Sequence, residues 1–600
     1  MNKNDDHNQA MSMEEIIAAE GGAFSDERDL AVPMTGCDRL PHGFMMTARG
    51  LRFRPEGAEH AAIVTLDPFD VRGRIADADG TNPGTAIGWT DNLGRRLETI
   101  VSDTLLHSSG GALPAELARR GLRCAVNSEK HLRFFFSALD CGTQIERCER
   151  PGWQMGGVYV LPTGEVFGAP AGSHHLATRS PDRCCQAGDL DAWKETVAAP
   201  AVGNSRLAYG ICQSLTGPLL EAAQEAFVAS HLQGGSSTGK STVLEAAASV
   251  WGRPDARDAV RSWRSTDNAL ESVAALANDG LLALDELGQA PPETVAASLY
   301  MLANGAGKAR ATTDGSARAV RSWRTSLFST GERSPEDIIR TAGRSRDNPA
   351  GLDVRLAVIS ADAGKGMGAF ECLHGHPSPR AFADALRAAA ARHYGTAGRA
   401  WLAALVRERD PTGKFDAAVR QKAAEVAARM TPAGADGQVA RVVGKMALVA
   451  VAGELAIAFG VLPWPAGTAE QAVAECCRAW LARRGSTRAR EELDVLRAVQ
   501  SFVAAHGQAR FEDVDGTTEY EPVVRDRAGW KTPSHFLFTA PAFAEAVRPA
   551  GKKDAAKVLR KEGFMAEAGS TREYVRDQQR ARVYAVNRDI LGWSEDAGEG

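Results

Sequence analysis

Gly234-Gly235-Ser236-Ser237-Thr238-Gly239-Lys240-Ser241 is the stretch that decides the fold of this chain. It has the form G-x-x-x-x-G-K-[ST]. The glycines let the backbone turn so that successive N–H groups point inward at phosphate oxygens. Lys240 then reaches the terminal phosphates, and Ser241 offers its hydroxyl to Mg²⁺. The stretch together with Thr242 therefore predicts ATP binding. Its flanks agree. Residues 226–232 (AFVASHL) suit a buried strand, and residues 242–250 (TVLEAAASV) suit a helix whose N-terminus faces the anion.

Working outward, the next informative run is Leu281-Leu282-Ala283-Leu284-Asp285-Glu286. Its apolar residues predict a buried parallel strand, with the carboxylates at the C-terminal end, where open α/β sheets bind ligands. Asp285 is expected to hold Mg²⁺ through its water shell, and Glu286 to orient or deprotonate the attacking water. Residues 326–332 (SLFSTGE) predict a further strand, ending where Ser329 or Thr330 would sense the terminal phosphate or the lytic water. Strand–helix alternation from about residue 189 to 375 predicts a parallel sheet.

Between those last two strands lies GAGKARATTDGSARAVRSWR, residues 305–324. Lys308, Arg310, Arg318, Arg321 and Arg324 flank the turn dipeptide Asp314-Gly315, which predicts a basic β-hairpin. Projecting into the channel of a ring, it would hold a single-stranded DNA backbone through Lys308, Arg310 and Arg318. Arg355 heads the apolar run 351–361 and could reach a neighbouring subunit's phosphate, with Arg344 and Arg346 as competitors. Arg441, on an apolar helix further on, could contact the γ-phosphate of its own subunit.

The remainder of the chain sets the domain layout. Its 600 residues, 44% hydrophobic and 24% charged with a net charge of −5, are those of a multidomain globular protein and not of a histone-like basic one. Residues 1–45 read as a flexible tail and 46–188 as an α+β accessory domain, with Trp89 and Trp153 either buried or offered as stacking platforms. Residues 189–375 are the ATPase core, 376–485 an Ala-rich helical lid and 486–600 a locally basic, winged-helix-like domain. Ten scattered cysteines without a C-x-x-C read as reduced thiols. No signal peptide or membrane span is evident, which predicts a cytoplasmic protein.

The order GGSSTGKST, SWRSTDNALESVAALANDGLLALDELGQ, YMLANGAGKARA, SWRTSLFSTGE, GLDVRLAVISAD resembles the bacterial DUF927 family. That family is similar to the MCM-like AAA+ replicative helicases of mobile genetic elements. The resemblance implies an α/β P-loop AAA+ core, ATP and Mg²⁺ as cofactors, and a homo-oligomeric, hexameric ring acting on DNA. It puts Lys308–Arg324 at the hairpin before the sensor strand, Thr330 at the sensor position and Arg355 at the finger arginine. Two departures stand out: the sensor is Thr where MCM proteins have Asn, and Leu287-Gly288-Gln289 replaces the usual aromatic and basic residues. The expectation is an ATP-dependent DNA helicase or translocase. The alternative is an AAA+ switch that remodels a protein partner without unwinding.

Overall fold

A computed structural model describes residues 37, 39–58, 61–108, 110–308, 310–311, 317–318, 320–341, 349–486, 488, 490–514, 526–548, 550–566, 571–574 and 580–594. The chain has a mixed α/β fold that divides into two compact units, Met1–Glu149 with Ala169–Ala177, and Arg150–Gly168 with Thr178–Gly600. Of the expected tail at 1–45, residues 1–36 and 38 lie outside the described residues, and Phe44 already begins the strand Phe44–Thr47; the turn at Asp314-Gly315 lies outside them too, as do Arg344 and Arg346.

In the first unit a five-stranded sheet runs in the order His174–Leu176, Gln144–Cys148, Asp70–Asp77, Gly84–Thr90, Arg96–Ser102. Val71, Ile87 and Trp89 on that sheet pack against Phe135 and Phe136 of the helix Glu129–Ala138. Trp89 is 1% exposed, so it serves the core and not a stacking surface.

The second unit holds a five-stranded, wholly parallel sheet: β1 (Phe227–Gln233), β2 (Val260–Ser262), β3 (Gly280–Asp285), β4 (Thr325–Gly331) and β5 (Ala357–Ser360). The strand order is β2-β3-β4-β1-β5. Both faces are covered, which is why these strands read as near-continuous apolar runs. Along β1 the side chains alternate. Phe227 and Ala229 join α3 (Asp267–Leu276), α4 (Val295–Asn304) and α5 (Pro335–Thr341) on one face. Val228 and Leu232 join α1 (Ser205–Leu215), α2 (Lys240–Ala248), α6 (Gly437–Ala458) and α7 (Thr468–Arg484) on the other.

Helix α1 is buried at every residue, so its polar side chains must be satisfied internally. They are: Gln213 Nε2 donates to Ser326 Oγ at 2.8 Å, and that hydroxyl donates to the Gln213 carbonyl at 2.7 Å. Trp153 is likewise buried, its indole N–H donating to the Pro218 carbonyl at 2.7 Å. Among the described residues no helix is long and apolar enough to cross a membrane. The apolar α6 is a core helix, and its Glu454 accepts from the Gly467 and Glu470 N–H groups at the start of α7.

The last part of the chain packs the helix α8 (Arg490–His506) on a five-stranded sheet. Phe502, Phe511, Phe536, Phe538 and Phe543 form its core.

Candidate functional site

The sheet register brings the sequence motifs to one edge. Leu232 of β1 stands beside Thr330, and Leu284 beside Ser329, which puts Asp285 next to Thr330. The loop 234–239 leaves β1 at this edge and feeds α2. Gly234 N–H donates to the Gly331 carbonyl at 3.2 Å, tying the loop to the tip of β4. Ser237 and Gly239 both take left-handed backbone, at φ 62° and 90°, and turns of this kind let successive N–H groups converge on an anion. Gly235, Ser236 and Ser237 are exposed, whereas Thr242 is buried. Lys240 is 7% exposed, and its ammonium donates to the Gly235 carbonyl at 2.7 Å. The loop thus has a cation folded across it, held by a neutral acceptor that an anion would outcompete.

At the tip of β3, the Thr330 hydroxyl donates to Asp285 Oδ1 and accepts from the Glu286 N–H at 3.4 Å. Glu286 has φ 55°, an uncommon conformation for a residue with a side chain. Asp285 is close enough to α2 that its charge, after burial, helps raise the carboxyl pKa of Glu245.

Beneath this edge lies a buried chain of hydrogen bonds. The Trp263 indole donates to Ser329 Oγ at 2.8 Å, and Ser329 Oγ is 3.0 Å from His231 Nδ1. His231 Nε2 is 3.3 Å from the Arg333 carbonyl. A carbonyl only accepts, so Nε2 carries the proton and Nδ1 accepts from Ser329. Burial, reinforced by the charges of Arg483 and Lys240, pushes the His231 pKa down to about 3.

A cation that the sequence did not single out approaches from α7. Arg483 Nε donates to Gln233 Oε1 at 2.8 Å, directly before the loop, and its Nη2 stands 3.9 Å from Glu336. Arg484 beside it is 3.5 Å from Asp353. Arg441, expected at the γ-phosphate, is not brought to the loop. It is exposed, its Nε donates to Gly437, and its charge, like that of Arg355, acts on the half-buried Lys445 near Glu225 at the start of β1. Arg355 precedes β5 and so lies toward the other end of the sheet, donating to Gly351 at 2.6 Å with its guanidinium 4.4 Å from the Tyr300 ring centre.

The hairpin forms as an antiparallel ladder, with Arg310 opposite Arg318 and Ala306 bridged to Ser322. Lys308 at its base pairs with Asp267 at 2.9 Å, and Arg321 donates to Ser272. An open cleft of about 660 Å³ runs beside it, lined by Arg264, Asp267, Asn268, Gln289 and Lys308.

One further segment meets the loop. After β5, Ala369 N–H donates to the Thr238 carbonyl at 2.8 Å, and the Phe370 ring packs on Gly239. The sequence does not reveal this contact, because glycine spacing alone does not say what a loop rests on.

Residues 46–322 match the family model DUF927, described as a domain of unknown function. No curated protein matches the chain. A solved structure described as "SCCmec type IV Cch - active helicase" is similar in fold, with a TM-score of 0.67 and 18% sequence identity. The similarity covers 92% of this chain and 99% of that one. The DUF927 resemblance drawn from the motifs therefore stands, and the fold is shared with a structure described as an active helicase.

Proposed function

We propose that this chain is an ATP-dependent DNA helicase or translocase, built as a ring of AAA+ subunits, with residues 189–375 as the ATPase core. The observation that carries the reading is the row of Lys240, Thr330 and Asp285 at one edge of a parallel sheet ordered β2-β3-β4-β1-β5. The basic hairpin inserted just before β4 adds a nucleic-acid element to it. The likeness to a helicase in fold is consistent with this.

The residues present suit Mg²⁺-ATP. Lys240 has only a carbonyl to leave, and Asp285 keeps one carboxylate oxygen clear of Thr330. Loop N–H groups, Lys240 and Arg483 would hold the phosphates, while Ser241 and Asp285 would hold the ion's hydration shell. Bound Mg²⁺ would supply charge neutralisation at the terminal phosphates. Glu286 accepts a proton from the attacking water, held in position by the Thr330 contact to its N–H. Arg355 is turned away from its own loop and would serve a neighbouring subunit's site, which makes assembly part of the mechanism.

The partner-remodelling switch remains the second reading, because Lys308 is already neutralised by Asp267. The test is ATP turnover by the full chain with and without single-stranded DNA, in wild type, Lys240→Ala and the pair Lys308→Ala/Arg310→Ala. Loss of DNA stimulation with basal turnover intact supports translocation. DNA indifference in the wild type supports the switch, and turnover surviving Lys240→Ala overturns both.

A further inference from the structure

We infer that the loop 364–368 is a second wall of the nucleotide site and that Lys365 supplies its phosphates with an additional cation from the same subunit. This rests on the reading of the phosphate loop as a nucleotide site. The chain leaves β5 at the edge where the phosphate loop begins, with Ala361 N–H donating to the Gln233 carbonyl at 2.7 Å. It then closes on itself, Ala363 N–H donating to the Gly368 carbonyl at 2.8 Å.

From Gly368 onward the segment is held by contact with the phosphate loop. Gly368 has φ 66°, and a Cβ there would stand 2.5 Å from the Thr238 carbonyl oxygen. A side chain at this position would push the segment off the loop. Ala369 and Phe370 complete the seat against Thr238 and Gly239. The geometry therefore anchors one end of the Gly-Lys-Gly-Met-Gly segment on the phosphate loop itself.

The other end is free. Gly364 and Gly366 have φ 78° and 70°, and Cβ atoms there would meet nothing within 4 Å. Lys365 between them is exposed and has no ion-pair partner among the described residues. The carboxylates of its own segment stand in other contacts and form no ion pair with it. Asp362 accepts from the Gly364 N–H at 2.9 Å, and Glu371 accepts from the Ser205 N–H. A lysine on a loop seated against a phosphate cradle, with no acidic neighbour claiming it, is placed to meet a polyanion.

Equilibrium binding of a fluorescent ADP analogue to the full chain tests this without recourse to turnover. Lys365→Ala should weaken binding about tenfold, Lys365→Arg should recover most of the loss, and Lys240→Ala should weaken binding further. Melting temperatures of the Lys365 variants should match wild type, since the side chain is exposed. Unchanged affinity in Lys365→Ala beside a loss in Lys240→Ala overturns the inference and leaves the nucleotide site standing. Unchanged affinity in both overturns the nucleotide site and the inference with it.

Discussion

Thr330 gives its hydroxyl hydrogen to Asp285 across two adjacent parallel strands, and the same oxygen receives the Glu286 N–H. One small side chain thereby fixes both carboxylate residues at the strand tip. An asparagine would reach further beyond the strand. A threonine is short enough to meet Asp285 instead, so under the proposed function the residue at the sensor position would orient the carboxylate proposed to hold Mg²⁺.

Thr330→Val keeps the shape and removes the hydroxyl. ATP turnover should fall roughly 10–100-fold, as when a group orienting a metal-binding carboxylate is lost. Affinity for ADP without Mg²⁺ should hardly change, because Lys240 and the loop are untouched. Thr330→Ser should keep most of the turnover. Equal activity in the Val and wild-type proteins would remove Thr330 from the mechanism.

Arg483 and Arg441 offer a direct comparison, since both are arginines on the neighbouring helices α7 and α6. Arg483 bonds to Gln233 beside the loop, while Arg441 bonds within its own helix. Arg483→Ala should weaken binding of a nonhydrolysable ATP analogue by about tenfold and Arg441→Ala should not. Titration of both variants with the analogue decides it. The reverse pattern would restore Arg441 to the γ-phosphate.

That pair of arginines also marks how far the sequence could be read. The strand leading to Lys240 and those carrying Asp285 and Thr330 were legible because a parallel sheet puts the ends of its strands at one edge whatever the loops do. Their apolar runs, each closed by polar residues, mark those ends. The pairing of Thr330 with Asp285 depends on register, which the runs leave undetermined by a residue or two. Arg483 was hidden for a different reason: its hydrogen bond to Gln233 spans 250 residues of chain. Apolar periodicity tells which face of a helix is buried and not which of its ends meets the site. The segment around Gly368 was hidden likewise, since its glycines look the same whether the loop rests on another loop or on water.

Arg324 at the base of the hairpin anchors a buried charge. Its Nε is 2.7 Å from Asp279, whose side chain is 0% exposed, and its Nη2 is 3.1 Å from Glu221. Burial raises the Asp279 pKa despite the arginine, so the carboxylate depends on that guanidinium to stay ionised. Arg324→Met should destabilise the protein by about 3–5 kcal/mol, read from denaturant unfolding. The double variant Arg324→Met/Asp279→Asn should lose less, because no unpaired charge is then left inside. Additive losses would show the two side chains to be uncoupled.

His231 predicts a pH dependence with a definite sign. It is fully buried and neutral, with a pKa of about 3 in the folded chain against 6.5 for the free group. The folded state therefore binds fewer protons than the unfolded state between those two values. Stability should fall as pH drops through 6.5 and go on falling toward about 3, by roughly 1.4 kcal/mol per pH unit from this group alone. Arg483 and Lys240 face it with like charge and deepen the effect, while the Arg333 carbonyl opposes it. His231→Gln removes the titration and can keep a donor toward Arg333. Its melting temperature should fall less steeply than that of wild type between pH 6.5 and 5, where few carboxylates protonate. Parallel curves would mean that the imidazole is protonated as readily in the fold as outside it, and Nδ1 would then donate to Ser329, which goes on accepting from the Trp263 indole.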